Sequence, residues 1–276
     1  MKITKSTDPQ NKPPIIMLVY GQGGVGKTTF GATSPKPLLL DCENGSKYFG
    51  LRGIELDVVQ IKRFDDVRDK ELITLIESSN DYESIIIDPI GELMEKLIES
   101  IKNSGNKKFV QYDGSLTMSG WGEAKDRMRR FMKFLRDSGK NILLIAHIEE
   151  KMDEERMIKR PMIATKISEE LVNLVDIVGF MTVVQKDNED KRVIMVDPSS
   201  DKYTAKDRTG QLEKYIEPDF DKIVKAAQGS EEFSWTKPTN TKKNKKAKTK
   251  NDEPVKPKGK IDPKDIEAKL QKAKQK

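Results

Sequence analysis

The sequence predicts an α/β fold in which a mostly parallel sheet carries helices on both faces. Short runs that are apolar throughout alternate with amphipathic stretches, and this alternation is typical of parallel strands that helices bury on each side. The last two strand candidates are joined only by the short polar segment 185–190, which predicts an antiparallel hairpin at one edge of the sheet. No repeat with a period of about 20–50 residues is visible, so solenoids and propellers are excluded.

The individual elements follow from the apolar pattern and its length. Short apolar runs predict strands at 15–20, 37–41, 55–60, 84–88, 141–147, 176–184 and 191–197. Apolar residues at helical spacing predict helices at 27–33, 65–78, 90–102, 122–137, 168–174 and 219–227. The helix that ends at Asp137 is the clearest, because Met128, Phe131, Met132 and Leu135 recur at i, i+3, i+4 and i+7. The connections 104–120 and 148–166 are long for a compact domain, and connections of that length are usually functional.

Charge divides the chain near residue 230. Residues 231–276 contain 15 lysines and 7 acidic residues, a net charge of +8, whereas the first 230 residues contain 36 basic and 38 acidic residues. Segment 234–264 has almost no large apolar side chains, so we predict that this basic C-terminal tail is disordered. The predicted domains are a flexible N-terminus (1–12), a globular domain (13–229), a disordered Lys/Pro-rich linker (230–262) and a short basic helix (263–276). The tail could reach nucleic acid electrostatically, dock on a partner or only keep the protein soluble.

The compartment is predicted to be the cytoplasm. Cys42 is the single cysteine, so an internal disulfide is excluded and a reducing environment fits. The longest apolar runs have the length of strands, so we expect no membrane span. The N-terminus is polar and rich in proline, without the apolar core of a signal peptide.

The strongest motif is a phosphate-binding loop of the form G-x-x-x-x-G-K-[ST], placed after an apolar strand and before a helical pattern as the motif requires. Its glycines let successive backbone N–H groups surround a polyphosphate, and the following helix adds its positive end. We predict ATP and Mg²⁺ as cofactors, with Lys27 on the β- and γ-phosphates and Thr28 on the metal; the alternative is a glycine-rich turn without a ligand. The predicted nucleotide-binding residues are Gly21, Gln22, Gly23, Gly24, Val25, Gly26, Lys27, Thr28 and Thr29.

Two further strands end in carboxylates. Strand 84–88 ends at Asp88 in a Walker B pattern, so we predict that Asp88 holds the Mg²⁺ shell through water, unless it is only a turn residue. Strand 37–41 is followed by Cys42 and Glu43. Because sites form at the carboxyl ends of parallel strands, Glu43 is expected beside the phosphate-binding loop, where it could orient the attacking water or remain a solvated loop carboxylate. Cys42 is interpreted as a small buried residue.

His147 is the only histidine, and it ends the apolar strand 141–147. A polar side chain at that place can hydrogen-bond the γ-phosphate and report its loss to the following loop; alternatively it only caps the strand. A metal site centred on His147 is disfavoured, because the sequence offers no second histidine.

Lys206 and Arg208 form a basic pair spaced by one residue after the predicted edge hairpin. They could belong to an exposed strand edge. Alternatively, they could reach an ATP bound by a neighbouring subunit and stabilise the charge of its transition state.

This ordered set resembles the core of RecA-type ATPases and, more narrowly, the small phage-encoded AAA-family RecA-like proteins that act as single-strand annealing recombinases. The similarity covers about residues 12–228. It rests on residues 21–29, 41–43, Asp88, His147 and 206–208, with Trp121, Gly122, Arg160, Pro161 and 176–179. The resemblance implies a RecA-like P-loop NTPase core in which Glu43 is the catalytic base and His147 the γ-phosphate sensor. It also implies a homo-oligomeric ring or filament, and a host-cell cytoplasm if the protein is phage-encoded.

The resemblance further implies single-stranded DNA as the partner, bound by two loops that follow the Walker B strand and the sensor strand. These positions are the two long connections. Basic and aromatic groups there suit phosphate contact and base stacking, although either could be a solvated loop. The predicted DNA-binding residues are Lys107, Lys108, Phe109, Lys159 and Arg160, with Tyr112 nearby. A single-strand DNA-binding protein could meet the C-terminal tail.

The sequence leaves three other functions open to different degrees. An ATP-gated scaffold or loader would recruit replication proteins through the tail with negligible turnover. A ParA/MinD-type partition ATPase is disfavoured, because Gln22 stands where the signature loop of that class has lysine. A nucleotide kinase is disfavoured, because no arginine-rich lid stands out in the sequence.

Overall fold

A computed structural model describes residues 12–153, 156–186, 189–199 and 201–229. Its strands are β1 (Ile16–Gly21), β2 (Pro37–Asp41), β3 (Asp57–Gln60), β4 (Ser84–Asp88), β5 (Asn141–Asp153), β6 (Arg156–Pro161), β7 (Ile177–Lys186), β8 (Glu189–Met195), β9 (Lys206–Asp207) and β10 (Tyr215–Ile216). Its α-helices are α1 (Lys27–Gly31), α2 (Lys70–Ser78), α3 (Ile90–Asn103), α4 (Met118–Asp137), α5 (Thr165–Leu174) and α6 (Phe220–Ala227). Short 3₁₀ segments cover Gly45–Tyr48, Gly50–Arg52 and Phe64–Arg68.

The strands form one sheet whose main path runs β10-β8-β7-β1-β5-β4-β2-β3. The strands from β7 to β3 along this path are mutually parallel. β8 pairs with β7 in the antiparallel sense, and β10 pairs antiparallel with β8. The predicted fold class is therefore confirmed, including the antiparallel hairpin at one edge.

Helices bury both faces of the sheet. Because successive side chains of a strand point to opposite faces, each central strand contributes to two separate cores. Leu18 belongs to a core that includes apolar residues of α2, α3, α4 and α5. Val19, the next residue of β1, belongs to a second core with α1 and α6. In that second core the rings of Phe30 and Phe220 pack edge to face, with their ring centres 5.8 Å apart.

The apolar stripe predicted for the clearest helix is buried as expected. Met128, Phe131, Met132 and Leu135 are all at most 7% exposed and pack against the sheet. The helix begins at Met118, where the Thr117 side chain caps it by accepting the Gly120 N–H at 3.0 Å. The predicted start at residue 122 was therefore four residues late.

The second long connection is mostly regular structure, so the prediction of an irregular loop at 148–166 was wrong. β5 continues to Asp153 and pairs antiparallel with β6, which forms a hairpin that extends from the end of the parallel strand. Residues 148–161 are mostly charged, with no more than two apolar residues in succession, so the pattern used for the other strands did not reveal the hairpin. The predicted helix 65–78 is also divided, into a 3₁₀ turn and α2, by the Asp69 cap.

The predicted linker (230–262), basic helix (263–276) and most of the N-terminal segment (1–12) lie outside the described residues. Of the helices that are described, none is long and apolar enough to cross a membrane.

Candidate nucleotide-binding site

The phosphate-binding loop connects β1, which ends at Gly21, to α1, which begins at Lys27. Gly26 has φ +102° and Gly24 has φ +77°, conformations that favour glycine over any other residue. The loop therefore adopts a backbone that its glycine spacing makes possible. A Cβ on Gly26 would also lie 3.3 Å from Nε of Arg192, so a neighbouring side chain packs closely against this turn.

Lys27 lies within this loop rather than in solvent. It is 6% exposed, and its Nζ donates to the carbonyl oxygens of Gly21 and Gln22, both at 2.9 Å. Burial lowers the pKa of Lys27, while the charges of Asp88 and Glu43 oppose that effect. The ammonium group is thus held between the loop and two carboxylates, in the region where phosphates are expected.

Asp88 ends β4 and is 8% exposed. Burial raises the pKa of Asp88 to about 6, and the charge of Glu43 adds to this, whereas a hydrogen bond with the Thr28 side chain lowers it. The structure therefore brings together the two residues predicted to hold Mg²⁺. A hydroxyl and a single carboxylate are hard oxygen donors, which fit an ion that keeps several waters and takes further ligands from phosphates. Within the described chain no three His, Cys, Asp or Glu side chains cluster as a separate metal site.

Glu43 and His147 face each other across the ends of the strands. His147 Nε2 lies 3.3 Å from Glu43 Oε2, and both side chains are about two-fifths exposed, at 43% and 44%. His147 is in register with Gly21, and Asp41 is in register with Asp88. Parallel pairing thus places the ends of β1, β2 and β4 level with the middle of β5. Four of the predicted catalytic groups meet there: Lys27, Glu43, Asp88 and His147.

Lys206 and Arg208 lie elsewhere. β9 pairs with the first residues of β7, at the level of Met17 in β1. Gly21 is four residues further along β1, which corresponds to about 13 Å at about 3.3 Å per residue. The structure therefore does not bring this basic pair to the nucleotide loop of its own chain.

Both side chains contact the end of α5 instead. Lys206 Nζ donates to the carbonyl oxygens of Val172, Asn173 and Val175 at 2.8, 3.0 and 2.7 Å. Burial lowers the pKa of Lys206, and the charge of Arg208 adds to that effect. Arg208 donates to Asp176 Oδ1 at 3.2 Å and to the Asn173 carbonyl at 3.0 Å. Lys206 thus satisfies carbonyl groups that the last turn of a helix leaves without partners.

The first predicted DNA-binding segment is a compact turn after α3. Lys107 and Lys108 are exposed, whereas Phe109 is half-buried and packs against the core, with Lys108 Nζ 5.8 Å from its ring centre. The aromatic ring that is fully exposed belongs to Tyr112. Tyr112 sits in a tight turn between Val110 and Leu116, which form a β-bridge. In this segment Tyr112 is therefore more accessible for stacking than Phe109.

The second predicted DNA-binding pair lies on β6. Arg160 Nε contacts Glu149 at 2.7 Å, and Lys159 Nζ lies 4.0 Å from Glu150. Lys159 Nζ is also 5.4 Å from the ring centre of Phe180. Both cations therefore stand on the hairpin, each with an acidic neighbour from β5.

Three residues near the site carry contacts that the sequence pattern did not reveal. Arg192 of β8 donates from Nε to the carbonyl of Val25 at 3.0 Å. Asp41, two residues before Glu43, is buried. Buried Tyr20 immediately precedes the nucleotide loop. Asp41 belongs to the strand-end motif at 41–43, but its anchoring contacts could not be read from that motif, and neither Tyr20 nor Arg192 belongs to a motif.

The Tyr20 hydroxyl lies 3.0 Å from the carbonyl oxygen of Lys159 and 2.8 Å from that of Thr204. Burial raises the pKa of Tyr20 well above its usual range, so the hydroxyl remains a donor. Lys159 and Thr204 are themselves linked, because the Thr204 N–H donates to the Lys159 carbonyl at 2.9 Å. β1, the β5–β6 hairpin and the segment that leads to β9 therefore meet at one side chain.

Comparisons with known proteins bear on the fold and the family. A solved structure of a KaiC-like protein from the hyperthermophilic archaeon Pyrococcus horikoshii OT3 matches 66% of this chain and 78% of its own length, with 14% identity and a TM-score of 0.39. A likeness of that extent carries no argument about activity. No curated protein matches the chain. A family model described as an AAA domain (AAA_24) matches residues 13–209, which include the nucleotide loop, Asp88 and His147. The chain thus belongs to the AAA_24 family of AAA-domain proteins and is a P-loop ATPase.

Proposed function

We propose that this P-loop ATPase binds single-stranded DNA and promotes strand annealing during DNA recombination, replication or repair. The observation that carries the proposal is the continuity of β5. This strand passes His147 beside the nucleotide loop and continues without a break into the hairpin that bears Lys159 and Arg160. The Met162 N–H, just after β6, donates to the His147 carbonyl at 2.8 Å. Both strands of the hairpin are therefore connected to His147. The resemblance to phage-encoded annealing recombinases supports the same reading.

In the proposed reaction, Lys27 and the backbone of the nucleotide loop bind the phosphates, and Thr28 and Asp88 would hold Mg²⁺. Bound there, Mg²⁺ would neutralise developing phosphate charge. Glu43 accepts a proton from the attacking water while the new O–P bond forms. The bond between the γ-phosphorus and the bridging oxygen then breaks, which yields ADP and phosphate. His147 holds the Glu43 carboxylate and would contact the γ-phosphate.

The proposed assembly is a homo-oligomer in which Lys206 and Arg208 serve the site of a neighbouring subunit. Their distance from their own nucleotide loop favours action in trans over action in cis. Cations that reach a transferring phosphoryl group stabilise its transition state. In that role Arg208 would exchange its contacts with Asp176 and Asn173 for contacts with phosphate.

The DNA surface is proposed to combine the β5–β6 hairpin with the exposed Lys107, Lys108 and Tyr112. Cations bind phosphate without regard to sequence, and an exposed ring can stack on a base. The charge of +8 in residues 231–276 would add electrostatic reach or meet a single-strand DNA-binding protein. We place Tyr112, rather than the half-buried Phe109, in the stacking role.

An ATP-gated scaffold remains the second candidate, and the ion pairs on the hairpin favour it. Because Glu149 and Glu150 accompany Arg160 and Lys159, the net charge of this surface is smaller than its cations suggest. A scaffold would bind ATP and recruit other replication proteins with negligible turnover.

The deciding experiment measures phosphate release with and without single-stranded DNA, and particle size in each state, for the wild type and Lys27→Ala. The proposal expects turnover that DNA stimulates, larger particles with ATP and DNA, and no turnover in the variant. Annealing of two labelled complementary strands is measured in parallel. ATP binding without DNA-stimulated release would support the scaffold. Unchanged turnover in Lys27→Ala would reject the assigned site altogether.

A further inference from the structure

A carboxylate without a role in the proposed reaction lies at the base of the turn that carries Glu43. Asp41 is the last residue of β2 and is only 2% exposed. A buried carboxylate is costly unless hydrogen bonds replace its lost water. The donors around Asp41 therefore show what its charge holds in place.

Five hydrogen bonds converge on this carboxylate. Oδ1 accepts from the backbone N–H groups of Glu43 at 3.2 Å and Gly45 at 3.1 Å. Oδ2 accepts from the N–H of Ser46 at 3.0 Å, from its hydroxyl at 2.5 Å and from the amide of Gln60 at 3.1 Å. A carboxylate offers about four lone-pair directions, so these donors leave Asp41 no free direction for a metal or a phosphate.

The five bonds shape the turn 43–46 around the carboxylate. Asn44 adopts φ +60° in this turn, a left-handed conformation that asparagine tolerates better than most residues. Because three backbone N–H groups of the turn point inward to Asp41, the Glu43 side chain is left to point outward towards His147. Burial alone would raise the pKa of Asp41, but the hydrogen bonds from Ser46, Gln60 and Gly45 outweigh it and lower the pKa, so the anchor stays charged.

We propose that Asp41 is a positioning residue that holds the 43–46 turn so that the Glu43 carboxylate stays beside His147 and the attacking water. The inference rests on the proposed ATPase reaction, in which Glu43 is the base. The hydrogen bonds described above join Asp41 to the 43–46 turn and to Gln60, and none of them reaches Lys27 or the phosphate-binding loop. Loss of Asp41 should therefore slow the chemical step without weakening nucleotide binding. The charge of Asp41 also helps to raise the pKa of Asp88, so nucleotide affinity is measured beside kcat.

The test is Asp41→Asn. This change replaces one carboxylate oxygen by an NH₂ group, which cannot accept the hydrogen bonds that the oxygen accepted. A displacement of about 1 Å in a catalytic group can cost about 100-fold in rate. We expect kcat to fall at least about tenfold, while the Kd for a fluorescent ATP analogue stays within about threefold. Asp66→Asn is the matched control, because Asp66 Oδ2 anchors a remote turn by accepting the N–H groups of Lys62 and Arg63, both at 2.8 Å. That control should lower thermal stability and leave kcat unchanged.

Gln60→Ala and Ser46→Ala keep the proposal testable if Asp41→Asn does not fold. Gln60 is exposed and Ser46 is half-buried, so both variants should fold, and each removes one side-chain donor. We expect kcat to fall about threefold in each, with unchanged nucleotide affinity. Wild-type kcat in these variants, or parallel losses of kcat and nucleotide affinity in Asp41→Asn, would overturn the inference. The proposed function fails separately, if the wild type releases no phosphate or if Glu43→Gln hydrolyses ATP normally.

Discussion

Glu43 and His147 meet although their strands are not neighbours. β4 separates β2 from β5 in the sheet, yet Glu43 Oε2 lies 3.3 Å from His147 Nε2. The contact therefore spans the end of the strand that carries Asp88. One residue of this pair is the proposed base, and the other begins the hairpin proposed to contact DNA, so the pair joins the two activities.

His147→Ala should keep ATP binding within a few-fold but uncouple it from DNA. Coupling between two sites is a shared binding free energy and must act in both directions. Couplings of about 1–3 kcal/mol correspond to about 5–150-fold changes in affinity. In the wild type, a non-hydrolysable ATP analogue should tighten DNA binding by a factor in that range, and in His147→Ala this tightening should be lost. DNA should also cease to stimulate turnover. Titrations of each ligand with and without the other provide the measurement. His147→Gln, which retains a donor, is the control and should keep part of the coupling; full reciprocal coupling in His147→Ala would place the sensor elsewhere.

Asp88→Asn should stabilise the ligand-free protein at neutral pH. The folded pKa of about 6 exceeds the ordinary value of 3.8, so between these values the folded state binds more protons than the unfolded state. The free energy of unfolding therefore falls as pH rises through this window, by about 1–3 kcal/mol. The variant should unfold at a higher temperature than the wild type at pH 7.5, with a smaller difference at pH 4.5. Thermal unfolding with Mg²⁺ and ATP should show the opposite order. An equal difference at both pH values would mean that Asp88 does not titrate there.

Arg208→Ala should bind ATP but hydrolyse it slowly, at least about tenfold below the wild type if the arginine stabilises transition-state charge. Mixing it with Lys27→Ala should restore part of the phosphate release, because mixed interfaces combine an intact loop with an intact arginine. Arg136→Ala is the matched control, because Arg136 is also an exposed arginine that pairs with an aspartate, Asp137, at 2.8 Å. This variant should hydrolyse ATP normally. Absence of rescue at every mixing ratio, with co-assembly confirmed by size, would contradict a shared site.

Arg192→Ala should weaken the binding of ATP and ADP alike by about 3–10-fold, with little change in kcat. The Arg192 side chain braces the Val25 carbonyl, and loss of one charge-assisted hydrogen bond is worth about 1 kcal/mol or more. Calorimetric titration with both nucleotides measures the effect. Lys191→Ala, at the adjacent and half-buried position, should bind both nucleotides normally. A lowered kcat with unchanged affinities would contradict a brace and favour a direct role in the reaction.

The centre of the sheet could be predicted from the sequence because strands such as β1 and β4 are buried on both faces and are therefore almost entirely apolar. The same rule failed for the β5–β6 hairpin, whose pairing combines polar residues such as Glu149 and Arg160 in an ion pair. β9 and β10 are only two residues each, too short to produce any periodicity. Strands longer than two residues were therefore predicted from their consecutive apolar residues, whereas the mostly charged β5–β6 hairpin and the strands of only two residues were missed.

The candidate site divides in a similar way. Asp88, Glu43 and His147 could be placed together, because the carboxyl ends of parallel strands share one edge of the sheet. The anchoring of Asp41 depends on the conformation of the 43–46 turn, and the contact of Arg192 with Val25 joins residues far apart in the chain. Neither relation leaves a trace in composition or spacing.

Tyr20 has a mechanical consequence for the assembly. Its hydroxyl reaches the carbonyls of Lys159 and Thr204, and Gly21 of the nucleotide loop is the next residue along β1. The hairpin cannot tilt away from the sheet without stretching these bonds or carrying the 204–208 segment with it. The hairpin that bears Lys159 and the segment that leads to Arg208 are thus linked through the single hydroxyl of Tyr20. In the proposed assembly, a DNA strand that displaced the hairpin of one subunit would therefore also shift the Arg208 proposed to serve the next subunit.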